Sequence, residues 1–150
     1  MQTGGGPPVG RIFTEIRGRS ADHRAVTVSL RDANGPHLLL ALSPSCPYCR
    51  VNFHNWRLLE SMIPAERIIW LDVVGDVPSQ YIYSEGISKA STIISIDQDT
   101  ATKEDIAATP TTIVLNAGGE VIWSWAGVLS KVQMNQLQSI LASDHVQHGP

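Results

Sequence analysis

His37-Leu38-Leu39-Leu40-Ala41-Leu42, followed three residues later by Cys46-Pro47-Tyr48-Cys49, is the stretch that decides the fold. The first part is a nearly continuous apolar run, the pattern of a central strand covered on both faces. The second part holds the only two cysteines of the chain. At a helix start, residues three apart have Cα atoms about 5.5 Å from one another, inside the window a disulfide requires. The pair can therefore open and close a disulfide with little backbone movement. A C-x-x-C beside a β-α-β pattern reads as a redox dithiol.

Downstream of the pair, the spacing predicts a helix. Pro47 suits its first turn, where the missing N–H costs nothing. Cys49, Phe53, Trp56 and Leu59 recur at helical spacing, with Met62 and Ile63 continuing the stripe, and Pro64 stops it. A second β-α unit is expected, with a strand over Arg67–Val74 and a helical run over Pro78–Gly86. Thr92–Ile96 reads as a short strand and Thr102–Ala107 as a helical turn or two. Thr111–Leu115 and Glu120–Trp125 read as strands joined across Asn116-Ala117-Gly118-Gly119. Ser130-Lys131-Val132-Gln133 matches a capping box, and Met134, Leu137, Ile140 and Leu141 give the closing helix its apolar face.

Upstream, Ala25–Leu30 alternates as a strand should, with Val26, Val28 and Leu30 on one side. Asp32-Ala33-Asn34-Gly35-Pro36 is a dense turn signal. Arg11–Arg19 fits either a short strand or a helical turn. The elements add up to an α/β domain with a central mixed β-sheet flanked by helices.

Length and composition fit one domain: 150 residues, 43% of them hydrophobic, suffice for one core. A formal charge of −3 leaves no basic footprint for nucleic acid. No apolar stretch approaches the roughly 18 residues of a membrane span. Residues 1–10, rich in Gly and Pro, are expected to be a disordered linker, 11–143 the folded domain, and 144–150 a flexible tail. The linker lacks the charged and apolar regions of a signal peptide. Either the chain is cytosolic or an export signal or membrane anchor has been removed. The abrupt glycine-proline opening favours the second.

Taken together, these residues resemble the thioredoxin fold, and within it the TlpA/ResA-like branch of thiol-disulfide oxidoreductases. The resemblance is carried by Leu38–Leu42 leading into Ser45-Cys46-Pro47-Tyr48-Cys49-Arg50. It continues in Ala108-Thr109-Pro110-Thr111-Thr112-Ile113-Val114-Leu115, Gly118-Gly119-Glu120-Val121 and Trp125-Ala126-Gly127. It spans roughly residues 24 to 142, and the long interval between Cys49 and Pro110 suits this branch. It implies a thioredoxin-like fold with a cis peptide bond at Pro110, and a catalytic pair, Cys46 and Cys49. It also implies a substrate platform of Pro47, Tyr48, Thr109 and Pro110, with the Thr109 backbone pairing to an extended substrate. No metal or cofactor is implied. The implied partners are a protein disulfide and a redox partner that donates or accepts electrons; the implied state is a monomer acting outside the cytoplasm. Three positions depart from the pattern: Ser45 replaces the usual Trp, and Leu40 and Asn52 stand where relatives keep an acid.

The residues themselves leave alternatives open. Cys46, just ahead of the helix, faces unpaired N–H groups and the positive end of the macrodipole, which favour charge on its sulfur. It is expected to attack, and Cys49, buried on the helix face, to resolve. An inert structural disulfide is the plain alternative, although so small a loop gains little through chain entropy. A metal carrier using both cysteines with His54, His37 or His23 is another, against which stands the usual need for four ligands. A glutaredoxin-like glutathione-dependent enzyme is the third, suggested by Pro-Tyr between the cysteines; Gly118-Gly119 reads better as a hairpin turn than as its glycine pair. Tyr48 fits a substrate platform or an ordinary exposed aromatic. Trp56 and Trp70 read as core.

Overall fold

The computed structural model describes residues 5–20, 22–31, 35–43, 46–73, 86–88 and 91–147. The expected turn at Asp32–Asn34, Ser45, and the helical run over Pro78–Gly86, except for Gly86 itself, lie outside them. Seven strands form one sheet: β1 Glu15–Arg19, β2 Ala25–Ser29, β3 His37–Leu42, β4 Ile68–Asp72, β5 Thr92–Ser95, β6 Thr111–Leu115 and β7 Val121–Ala126. Their order is β2-β1-β5-β4-β3-β6-β7. The β3, β4 and β5 pairings are parallel, while β1–β2, β1–β5, β3–β6 and β6–β7 are antiparallel.

All six residues of β3 are buried, and so are all five of β4 and of β6. Helices cover both faces. α1 (Pro47–Glu60) and α3 (Lys131–Gln147) pack on one side, where Leu38, Leu40, Trp70, Val114 and Trp123 meet Cys49, Phe53, Trp56, Leu137 and Leu141. On the other side Leu39, Ile69, Ile94 and Ile113 meet Phe13 and Ile16, with Ala101 of the short helix α2 (Gln98–Lys103). This alternation by residue parity follows from the pleat.

At the centre of the dithiol-side core, the Phe53, Trp56 and Trp70 rings lie with centroids 5.4–5.6 Å apart. Trp56 donates its indole N–H to Thr112 Oγ1 at 2.9 Å. Both tryptophans are core residues. The β6–β7 turn closes through Asn116, whose Oδ1 accepts the N–H groups of Gly118 and Glu120 at 3.0 Å. Gly119 has φ +83°, and a Cβ there would stand 2.2 Å from the Phe13 carbonyl oxygen. The Ser130–Gln133 capping box is present: Gln133 Oε1 accepts the Ser130 N–H at 2.8 Å, and the Gln133 N–H reaches Ser130 Oγ at 3.4 Å.

Four expectations are corrected. The helix expected over Thr102–Ala107 lies at Gln98–Lys103, because Asp97 caps it by accepting the Thr100 N–H at 2.7 Å. It has ended by Asp105, whose φ is +61°. Met62 is 38% exposed rather than part of the buried stripe, since α1 has already closed at Ser61. α3 runs to Gln147, past the boundary expected at Asp144; no Gly or Pro interrupts it. Residues 5–10, expected as a disordered linker, lie along β7 instead. Ser124 Oγ donates to the Pro7 carbonyl at 2.8 Å, and the Gly10 N–H donates to Val121 O at 2.8 Å. Small residues make this approach possible: even a Cβ on Gly6 would come within 3.2 Å of Thr111 Cγ2.

Candidate active site

Cys46 and Cys49 sit where the C-terminal end of β3 passes into α1. Cys46 is the N-cap of that helix, and its sulfur accepts the Cys49 backbone N–H at 3.2 Å. The cap position is what turns its side chain back on the unpaired N–H groups of the first turn. Pro47 follows in the first turn, as expected, and the first turn holds no acidic residue. Both cysteines are free thiols. Cys46 is 8% exposed, Cys49 not at all, while Tyr48 between them is 64% exposed. Both cysteines are thus buried, and the cap cysteine is the one that keeps some exposure.

Burial dominates the chemistry of Cys49. Loss of water, then the contact with Cys46, push its thiol up from 9.0 to about 12; a Ser43 backbone N–H and the Thr109 hydroxyl pull the other way. Negative charge on Cys46 adds to the rise. Thr109 thus reaches the dithiol through its side chain. The Thr109–Pro110 bond is cis. Pro110 is buried and Thr109 half-buried, and the backbone N–H and C=O of Thr109 enter no hydrogen bond among the described residues. Of the expected platform, Pro47 and Tyr48 lie between the two cysteines at the start of α1, and Thr109 touches Cys49 through its hydroxyl, with Pro110 next to it in the chain.

The expected gap in acidic residues holds at Leu40 and Asn52, both wholly buried, yet an acid that sequence reasoning missed stands on the next strand. Asp72 ends β4, pairs in register with Leu42 and is fully buried. Strand alternation places it on the face of Trp70, the face that carries the dithiol. Ser95 Oγ donates to its Oδ2 at 3.2 Å. Its local signal is that it is the one charge in the apolar run 68–74, and the β3–β4 register brings it to this end of the sheet.

His54 does not join the cysteines. His54 is on the exposed side of α1 while Cys49 is on the buried side, five residues and some 140° apart around the helix. Among the described residues no three His, Cys, Asp or Glu side chains converge on one point. Gly118 and Gly119 lie at the opposite end of β6 from Pro110, serving the hairpin turn.

No family model and no curated protein matches the sequence. Solved structures do match. The thioredoxin domain of a thiol-disulfide oxidoreductase from Bacteroides vulgatus is 14% identical, with a TM-score of 0.65 over 89% of this chain and 98% of that one. A secreted thiol-disulfide isomerase from Corynebacterium glutamicum is 14% identical, with a TM-score of 0.67 over 89% of this chain and 86% of its own. A peroxidoxin from Mycobacterium tuberculosis is 13% identical, with a TM-score of 0.68 over 91% of this chain and 97% of its own. Identities this low carry architecture and not chemistry. The sheet order, the dithiol at the start of α1 and the cis-proline loop beside it give this chain a thioredoxin-like fold.

Proposed function

We propose that the protein is a thiol-disulfide oxidoreductase of the TlpA/ResA-like kind, reducing protein disulfides through Cys46 and Cys49. One observation carries the proposal: a cap cysteine that keeps 8% exposure, with a second, fully buried thiol one helical turn behind it. The sulfur of Cys46 attacks a substrate disulfide, the Cys46–substrate bond forms, and one substrate sulfur leaves as thiol. Cys49 then loses its proton and attacks the Cys46 sulfur, so that the Cys46–Cys49 bond forms and the second substrate sulfur departs. Two electrons pass to the substrate, and a separate redox partner restores the dithiol.

The substrate lies across Pro47, Tyr48, Thr109 and Pro110. Support comes from the exposed Tyr48 and from the backbone of Thr109, which makes no hydrogen bond among the described residues and suits strand addition by an extended peptide. The protein acts as a monomer outside the cytoplasm; the secreted isomerase of the same fold supports that location. The test is reduction of insulin with dithiothreitol as electron source. Wild type should accelerate precipitation of the insulin B chain and Cys46→Ser should not. Full activity in Cys46→Ser would reject the assignment.

A further inference from the structure

Asn52 lies one turn beyond Cys49 on α1, wholly buried among apolar side chains. Its Oδ1 accepts two hydrogen bonds, from the Leu129 N–H at 3.0 Å and from Asn55 Nδ2 at 3.0 Å. Asn55 Nδ2 also donates to the Leu129 carbonyl at 2.9 Å. Both backbone groups of Leu129 are therefore held by two amides of the cysteine helix. Two residues earlier, the Gly127 N–H donates to the Pro110 carbonyl at 2.7 Å. The segment 127–129, held to Asn52 across 77 residues of sequence, thus bridges α1 to the Thr109–Pro110 step. Leu129 is itself buried in the cluster that contains Cys46 and Cys49.

The amide is an expensive choice for this place. Asn52 Nδ2 is buried and has no acceptor among the described residues, and an unmatched buried donor costs about 1–3 kcal/mol. A leucine would fill the space without that cost, but it would leave the Leu129 N–H unpaired. What the amide gains is the bracket.

We infer that Asn52 is a positioning residue for substrate: through Leu129 and Gly127 it sets where the Thr109–Pro110 edge stands relative to Cys46. This rests on the dithiol reading and extends it to the part of the site that recognises polypeptide. A protein disulfide must dock its backbone on that edge before Cys46 can reach it. A small aromatic disulfide such as 5,5′-dithiobis(2-nitrobenzoate) needs only access to the Cys46 sulfur. Loosening the bracket therefore falls on one substrate and not equally on the other.

The experiment compares insulin and the small disulfide in wild type and Asn52→Leu, with folding checked by tryptophan fluorescence. The expected result is a KM for insulin raised about tenfold with kcat within about twofold, and a loss on insulin at least five times that on the small disulfide. Equal losses on both substrates would make Asn52 merely structural and overturn the inference, as would no loss. Should Asn52→Leu fail to fold, Asn55→Ala removes the carbonyl half of the bracket from a partly exposed position. It should show the same selectivity at about threefold, and an unselective or absent effect there overturns the inference equally. Failure of the dithiol reading is distinguishable, because wild type would then leave insulin intact.

Discussion

Reduced protein should lose stability as the pH climbs from about 9 to about 11, and the excess loss should vanish in Cys49→Ser. The folded Cys49 thiol is held up at about 12, against 9.0 for an ordinary cysteine, chiefly because its site excludes water. Between those values the unfolded chain gives up the proton and the folded one keeps it. The folded state then binds more protons, so stability falls with rising pH, at most about 1.4 kcal/mol per pH unit for one group. The full offset of three units corresponds to about 4 kcal/mol. About 3 kcal/mol of it should be gone by pH 11, and none below about pH 8. Urea denaturation under reducing conditions measures this, followed by tryptophan fluorescence at pH 8, 9, 10 and 11. All other groups are common to both proteins, so the difference in slope reports Cys49 together with its contact to Cys46. Parallel slopes for wild type and Cys49→Ser would refute the claim that burial holds this thiol protonated.

Three smaller perturbations probe the frame around the site. Thr112→Val removes the acceptor of the buried Trp56 indole N–H, and should cost about 1–3 kcal/mol in urea denaturation. Gly119→Ala forces a Cβ into the Phe13 carbonyl at a residue with φ +83°, and should cost more than about 2 kcal/mol by the same measurement. Asp97 is held below the usual carboxylate range by the Thr100 N–H, so its cap contributes above that range and is lost as pH falls through the lowered value. Asp97→Asn should therefore melt below wild type at neutral pH, with the gap closing in acid.

Much of this architecture was legible because it is written in local periodicity. Cys49, Phe53, Trp56 and Leu59 announce the buried face of α1, and the Asn-Ala-Gly-Gly turn announces the β6–β7 hairpin. What escaped was of two kinds. α2 has one buried residue, Ala101, so no amphipathic stripe located it; its true signal was the cap, Asp97. The composition of residues 5–10 suggests a tether, although the bare backbone of Gly5 and Gly6 is what lets them lie close against the sheet.

The remaining omissions are long-range. Asp72 reaches the dithiol end of the sheet through strand register, and Asn52 finds Leu129 through tertiary packing. Neither relation has a trace in the sequence around the residue. Motif and resemblance name the cysteines, Pro47, Tyr48, Thr109 and Pro110 in the sequence, while the polar bracket that joins their loops is visible only in the fold.

The central claim is that Cys46 attacks and Cys49 resolves. Its most direct measurement is mass spectrometry of Cys49→Ser after exposure to a disulfide-bonded substrate protein, without added reductant. The expected product is a stable one-to-one adduct linked through Cys46, released by dithiothreitol and absent from Cys46→Ser. An adduct linked through the remaining cysteine of Cys46→Ser, with none in Cys49→Ser, would reverse the roles and contradict the account.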